Sequence, residues 1–369
     1  MSLNLGMFGT GEPKLKPLEG TSREWAESVM RVVCAKRLRA DVERLPAPRN
    51  RLHSPEAMGR ADEMIAQTFR DAGWTVERQA FELTNVMGCL DYGAGLLPAG
   101  VIPELYAHLA GVNVVAVKEG RGSTEAVVIA AHHDTLRDSP GADDNTASVA
   151  ALLELARVLA PHSFEKTVVL AAFDMEEIGY FGSKQFVREF SRARRISCAV
   201  VYETMAYTAN EPGSQRMPPR VGRLYPGQMR KIAARDFAGD WTLVLYRKSA
   251  SSIATHFAEG LAHTAGAHAP LMMRDPADVP LLGRAVRRLM PGAHAFGRSD
   301  HISFWDAGVP AIMISDTADF RNPHYHLPTD TPETLDYERL AAIVGATAVA
   351  VAREAGPVKE GESRGNVAH

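Results

Sequence analysis

The stretch Ala126-Val127-Val128-Ile129-Ala130-Ala131-His132-His133-Asp134 runs six apolar residues straight into two imidazoles and a carboxylate. A run that is apolar at every position, without alternation, reads as a strand buried on both faces. The pattern returns at 167–173, which leads into Asp174-Met175-Glu176-Glu177, at 198–201, which leads into Tyr202-Glu203, and at 309–314. Between these runs lie stretches of helical periodicity at 146–160, 182–193 and 335–355. Strands of this kind alternating with helices predict an α/β fold: three layers, with a mixed, mostly parallel sheet flanked by helices. Ligands of such open sheets bind at the carboxyl edge of the strands, which is where His132, Asp134, Glu176, Glu177 and Glu203 emerge.

Working outward, 21–71 shows helical periodicity, with Gly73 as a stop, and 74–83 alternates like a strand. A second short strand is expected at 112–118. The segment 93–112 is apolar enough to raise the question of a membrane span, but Pro98, Pro103, Glu104 and His108 interrupt it within the length that a spanning helix needs. It is expected to form a covering loop or cap. Pattern is weakest between 206 and 298, where 211–220 is rich in Pro, Gly and Ser. The expected organisation is an N-terminal extension (1–20), a single catalytic domain (21–355) with an elaboration near the active-site edge at about 206–298, and a polar, disordered tail (356–369).

With 369 residues, 41 Lys and Arg against 44 Asp and Glu, and a formal net charge of −3, the chain shows no electrostatic footprint for nucleic acid or an anionic membrane. A peptide or small amide is the expected partner. Cys34, Cys89 and Cys198 are too few and scattered for a disulfide framework and contain no CxxC pair, so reduced thiols are expected. The first twenty residues lack a basic region followed by an apolar stretch, so no signal peptide is visible. The expected location is cytoplasmic, or secreted if the natural N-terminus lies further upstream.

The polar groups at the strand ends have the chemistry of a hard-metal site. A catalytic zinc takes nitrogen and oxygen ligands and keeps a position open for water, and a second zinc nearby needs a carboxylate to bridge the pair. Asp144, in the loop Pro140-Gly141-Ala142-Asp143-Asp144-Asn145, is the natural bridge to His132. Glu176 and Glu177 follow a buried strand, so neighbouring side chains point in different directions; one can ligate while the other faces the water. Asp134 can bond the His132 imidazole and fix its tautomer, and His133 should turn to the opposite face and pack. In Asn322-Pro323-His324-Tyr325-His326, spacing does not separate the two histidines as ligands. The triplet Ser299-Asp300-His301 invites a serine-hydrolase reading, but there is no GxSxG elbow. A supporting or helix-capping role is expected for Ser299 and Asp300.

This set of motifs resembles the co-catalytic di-zinc aminopeptidases of the bacterial leucyl aminopeptidase type, to which glutamate carboxypeptidase and glutaminyl cyclase are related. The resemblance runs from about Arg51 to Ala355 and rests on His132-His133-Asp134, Pro140 to Asp144, Glu176-Glu177, Tyr202-Glu203, and Tyr325-His326 with Asp330-Thr331 behind it, in that order. It implies two zinc ions per chain, with Asp144 bridging, Glu177 and His326 on one ion, and His132 and Glu203 on the other. It implies Glu176 as general base and a non-proline cis peptide between Asp144 and Asn145. The implied activity is that of a zinc-dependent exopeptidase removing the N-terminal residue of peptides by a metal-activated water. Other functions on the same scaffold are a glutaminyl-cyclase-like acyltransferase, a carboxypeptidase or an amidase. A non-catalytic binding module should have lost ligands, whereas here each expected position holds a competent residue.

Overall fold

The runs that are apolar at every position become the middle of one sheet. The computed structural model describes residues 12–91, 102–218, 222, 224–278 and 296–358. Helices α1 (Gly20–Met30), α2 (Ala35–Arg44) and α3 (Pro55–Asp71) precede two long strands, β1 (Thr75–Cys89) and β2 (Pro103–Lys118). Then come β3 (Glu125–His132), α4 (Ala147–Leu159), β4 (Thr167–Phe173), α5 (Phe181–Ala193) and β5 (Arg195–Tyr202). The chain continues through α6 (Pro226–Ala233), β6 (Thr242–Tyr246), α7 (Ser251–Ala265), β7 (Pro270–Arg274), α8 (His301–Asp306), β8 (Ala311–Ser315) and α9 (Tyr337–Ala355).

The strands form a mixed eight-stranded sheet in the order β1-β2-β4-β3-β5-β8-β6-β7. Its centre, β4-β3-β5-β8, is parallel, while β2 runs antiparallel to β4 and β6 antiparallel to β8. Successive side chains of a strand face opposite sides, and β3 shows the consequence. Val127, Ile129 and Ala131 join one core with α2, α3, α4, α7 and α9, whereas Ala126, Val128 and Ala130 join a second core with α5, α6 and α8. Both faces are therefore covered, and only the strand ends can carry unshielded polar groups. The register aligns those ends: His132 lies opposite Phe173, and Ala131 opposite Tyr202, so Asp174 and Glu203 leave the sheet at the same level as His132.

Three expectations change. The 93–112 segment is no simple cap, because β2 starts at Pro103 and pairs with β1 along its length. Only Val114–Lys118 pairs with β4, so the remainder projects as a two-stranded ribbon. Phe81 and Leu109 on that ribbon pack on Met175, Ile178 and Phe181 beyond β4, which stabilises strands that have left the sheet. Residues 92–101 lie outside the described residues. The 206–298 stretch is more than an edge elaboration: β6, α7 and β7 continue the sheet and its helical cover past β8. Residues 219–221, 223 and 279–295 lie outside the description. The edge strand β7 is shielded by side chains: Glu12 accepts from the Met272 N–H (2.8 Å) and Gln228 donates to the Met272 carbonyl (2.9 Å). Lastly, the tail begins ordered, with Pro357 bridging to Phe164 and the Val358 N–H donating to the Ser163 carbonyl (2.9 Å); 359–369 lie outside the description.

No helix among the described residues is long and apolar enough to cross a membrane. The three cysteines are free thiols, Cys198 buried and the others half-buried.

The ribbon also makes a close approach to the segment that follows β4. The Cys89 N–H donates to the Ile178 carbonyl (2.9 Å), and a Cβ on Gly88 would lie 2.3 Å from that same oxygen. Gly88→Ala should therefore destabilise the protein by about 1–3 kcal/mol through a forced backbone shift. Gly59, inside α3 with open space around it, makes the control: Gly59→Ala should stabilise by about 0.5–1 kcal/mol. Urea unfolding midpoints of the two variants, moving in opposite directions, check both.

Candidate metal centre

Each predicted ligand is delivered by a distinct piece of backbone. His132 is the last residue of β3 and Glu203 the first after β5. Asp144 sits in a turn, Ala142–Thr146, that opens on Gly141 at φ 59°, ψ 47°. A Cβ there would lie 2.3 Å from the Asp144 carbonyl oxygen, so both the left-handed angle and the tight turn call for glycine. The carboxylate of Asp330 accepts the N–H groups of Asp143 (2.9 Å) and Asp144 (3.2 Å), and its carbonyl accepts Ala142 (3.2 Å). Asp143 accepts from the Ala206 N–H (2.9 Å) and from Asn322 Nδ2 (2.8 Å). Asn145 bonds both the Tyr202 carbonyl (3.0 Å) and the Thr204 N–H (3.3 Å), tying the turn to the end of β5. The peptide between Asp144 and Asn145 is cis, as the resemblance implied.

Asp134 does a similar job for the glutamates. Its Oδ1 accepts the Glu176 N–H (3.1 Å) and its Oδ2 the Glu177 N–H (3.2 Å). It also lies 3.4 Å from His132 Nδ1, while its own carbonyl oxygen is 3.1 Å from that nitrogen. The expected contact with the imidazole is present, joined by a hold on the loop after β4 that sequence alone did not reveal.

The functional ends then meet. His132 Nε2 stands 3.2 Å from Asp144 Oδ1 and 3.5 Å from Glu203 Oε2. His326 Nε2 stands 3.0 Å from Asp144 Oδ2 and 3.8 Å from Glu177 Oε2. Asp144 thus presents one oxygen to each histidine. Two sets of ligand atoms lie within 4.8 Å of one another: His132 with Glu176 and Glu203, and His132 with Asp144 and Glu177. His324 is separated from His326 by its setting, since its Nδ1 contacts Thr329 Oγ1 (3.0 Å) away from the cluster.

The electrostatics show what the cluster lacks. Burial, and then neighbouring carboxylates, push Glu176 and Glu177 well above the usual carboxylate range. Burial raises Glu203 as well, although His132 opposes it. For Asp144 burial acts upward too, but the two histidines outweigh it and hold the carboxyl low. Burial would lower His132, yet Glu176 and Glu203 raise it well above the usual imidazole value. His132 Nε2 and Glu177 Oε1 are buried without a hydrogen bond. Orphaned donors amid crowded carboxylates are costly unless a cation sits among them. The N and O donor set fits zinc.

Other predicted residues take different places. His133 does not simply pack: it contacts the Phe173 carbonyl (Nδ1, 2.7 Å) and Asp62 (Nε2, 2.9 Å), and Asp62 pairs with Arg51 (2.7 Å). A polar ring buried against a carboxylate needs these partners. Ser299 Oγ donates to Glu203 Oε2 at 2.7 Å, as a supporting residue should. Asp300 precedes α8, but its side chain caps nothing, which corrects the capping expectation. Burial pushes its carboxyl up to about 7. Sequence reasoning placed Asp330, Asp143 and Asn145 in or beside the motifs that carry the resemblance but gave their side chains no role.

An open pocket adjoins Glu203 and Tyr325. Trp241, Leu243, Leu245, Met273, Phe296 and Met313 make it largely apolar. Its walls come from β6 and β7, in the stretch whose pattern was least legible, and from β8, the run read at 309–314.

The hold of Asp330 on the Asp144 turn has a measurable cost. Asp330→Ala would strand two buried N–H groups and should lower stability by roughly 2–6 kcal/mol, at about 1–3 kcal/mol for each unsatisfied group. A urea or thermal unfolding midpoint equal to that of the parent would contradict this.

Comparison with known proteins bears on the whole arrangement. The model of peptidase family M28 matches residues 113–235 and 261–351. The uncharacterized protein YfbL of Escherichia coli (strain K12) is 32% identical over 244 residues, covering 63% of this chain and 68% of YfbL. Aminopeptidase YwaD of Bacillus subtilis (strain 168) is 25% identical over 234 residues, 62% of this chain, which spans only 41% of YwaD. In fold, the chain is similar to the aminopeptidase from Aneurinibacillus sp. strain AM-1, with a TM-score of 0.63 and 16% identity over 90% of this chain and 97% of the other. With the family model covering more than half of its length, including all five predicted metal ligands and both glutamates of the pair, the chain belongs to peptidase family M28.

Proposed function

We propose that this M28 peptidase is a two-zinc aminopeptidase. The observation that carries the proposal is Asp144, with one oxygen 3.2 Å from His132 Nε2 and the other 3.0 Å from His326 Nε2. A carboxylate addressed from both sides by imidazole suits a bridge between two ions and is superfluous for one. On this reading Glu177 and His326 hold one ion, His132 and Glu203 the other. When bound, the pair supplies Lewis-acid polarisation of the scissile carbonyl and acidifies the attacking water.

Glu176 is assigned the proton transfer. Its N–H is fixed by Asp134, and its carboxyl stands beside His132 and Glu203 with a raised affinity for protons. A carboxylate placed there takes a proton from the water and hands it to the leaving amine. Asp134 holds both His132 and the glutamate loop, so it acts by positioning. The apolar pocket supports a large apolar side chain on the N-terminal residue of the substrate.

Elemental analysis of the zinc-loaded protein should return two ions per chain. Glu176→Gln should keep both while losing about 10²- to 10⁴-fold in turnover, the range for a general base. Loss of zinc in that variant would instead make Glu176 a ligand, an arrangement its place beside His132 and Glu203 also allows.

Direction of attack follows from charge. The carboxylates of Asp144, Glu176, Glu177 and Glu203 crowd one edge and suit an ammonium or amine of the substrate. A leucine anilide should be cleaved and its N-acetyl form left intact; equal hydrolysis of the two would rule out recognition of the amine.

A further inference from the structure

Arg298 is unused by the reaction described above. It lines the rim of the apolar pocket, half-exposed, and its backbone is next to Ser299, whose hydroxyl is bonded to Glu203. Its Nη1 pairs with Asp319 Oδ1 at 3.1 Å. Its Nη2 reaches the Tyr325 hydroxyl at only 3.5 Å, the outer limit of a hydrogen bond. Tyr325 in turn stacks on His326, with ring centroids 3.8 Å apart and planes at 21°. The guanidinium is therefore one aromatic ring removed from the proposed metal centre, braced on one side and weakly engaged on the other.

Other arginines near the pocket are committed elsewhere. Arg216 donates to the Asp319 carbonyl. Arg247 pairs with Asp275 (2.9 Å) and lies 4.1 Å over the Trp305 ring. The Asp319 carboxylate pairs with Arg298, while Arg216 takes only its backbone carbonyl, so two guanidinium groups stand at the rim beside an apolar interior. Guanidinium offers five donors in a planar fork that matches a carboxylate, and few other ligands exploit both its shape and its charge.

We propose that Arg298, braced by Asp319 and Tyr325, binds the free carboxylate of the leaving residue, so that the enzyme is built for dipeptides. The inference rests on the aminopeptidase reading and adds a second anchor to it. A carboxylate directly after the scissile bond lies about one residue of extended chain, roughly 3.3–3.6 Å, beyond it, on the side where Arg298 is linked to the centre through Tyr325 and His326. A longer peptide would set an uncharged amide there and forgo the ion pair.

The test uses the zinc-loaded full chain with leucyl-leucine, leucyl-leucinamide and leucine p-nitroanilide. The acid should exceed the amide in kcat/KM by about ten- to hundred-fold, the value of a charge-assisted contact, with the difference in KM. In Arg298→Gln that ratio should fall to within about twofold. Calorimetry with a dipeptide whose peptide bond is reduced to an amine, as acid and as amide, reads the same preference without turnover. Equal treatment of acid and amide by the parent protein, or an unchanged preference in Arg298→Gln, overturns the inference while cleavage of the anilide leaves the aminopeptidase reading standing. Failure to cleave all three substrates overturns both.

Discussion

A carboxylate that accepts two consecutive backbone N–H groups sets the course of a loop, because both its oxygens and both donors must stay in register. The site depends on this interaction twice. Asp134 grips Glu176 and Glu177 after β4, and Asp330 grips Asp143 and Asp144 after β3. Neither element could hold these positions by apolar packing alone, since the chain has already left the sheet. The aspartates thus extend the precision of the strands by a few residues, to where the chemistry is.

The same arrangement concentrates charge that the fold cannot neutralise by itself. Glu176, Glu177, Glu203 and Asp144 converge with His132 and His326 between them. Burial favours the protonated acids, and the histidines oppose that most strongly at Asp144. A cation held by these residues would resolve the conflict by favouring the ionised carboxylates, which would couple the protonation of the glutamates to the occupancy of the site.

Behind the centre a second polar network fixes the base of the sheet edge. Arg51 joins Asp62 to Asp174, and Asp62 joins His133. Asp174 also accepts the Val112 N–H (2.8 Å), so the network reaches the ribbon of β1 and β2. Since the ribbon also bonds the Ile178 carbonyl, a strand pair that hardly enters the main sheet becomes part of the support for the glutamates. Breaking one member of such a network strands the others, which makes its members interdependent.

Much of this was legible in the chain. Strands buried on both faces must be apolar throughout, so the runs ending in His132, Phe173 and Val201 revealed the sheet, its helical cover and the edge at which polar residues emerge. The ligand types and the order of the motifs revealed the family. What the sequence could not decide was which of two chemically equal neighbours does what. His324 and His326 differ by where one loop turns, and the second duty of Asp134 depends on a strand pairing that brings residues 42 positions apart together. The role of Asp330 lies across a separation of 187 residues, and the pocket beside Glu203 joins the legible run of β8 to β6 and β7, whose local pattern was too short to read. Local sequence carries burial and period, which are properties of single elements; contacts between distant loops arise only when the sheet register sets those elements side by side.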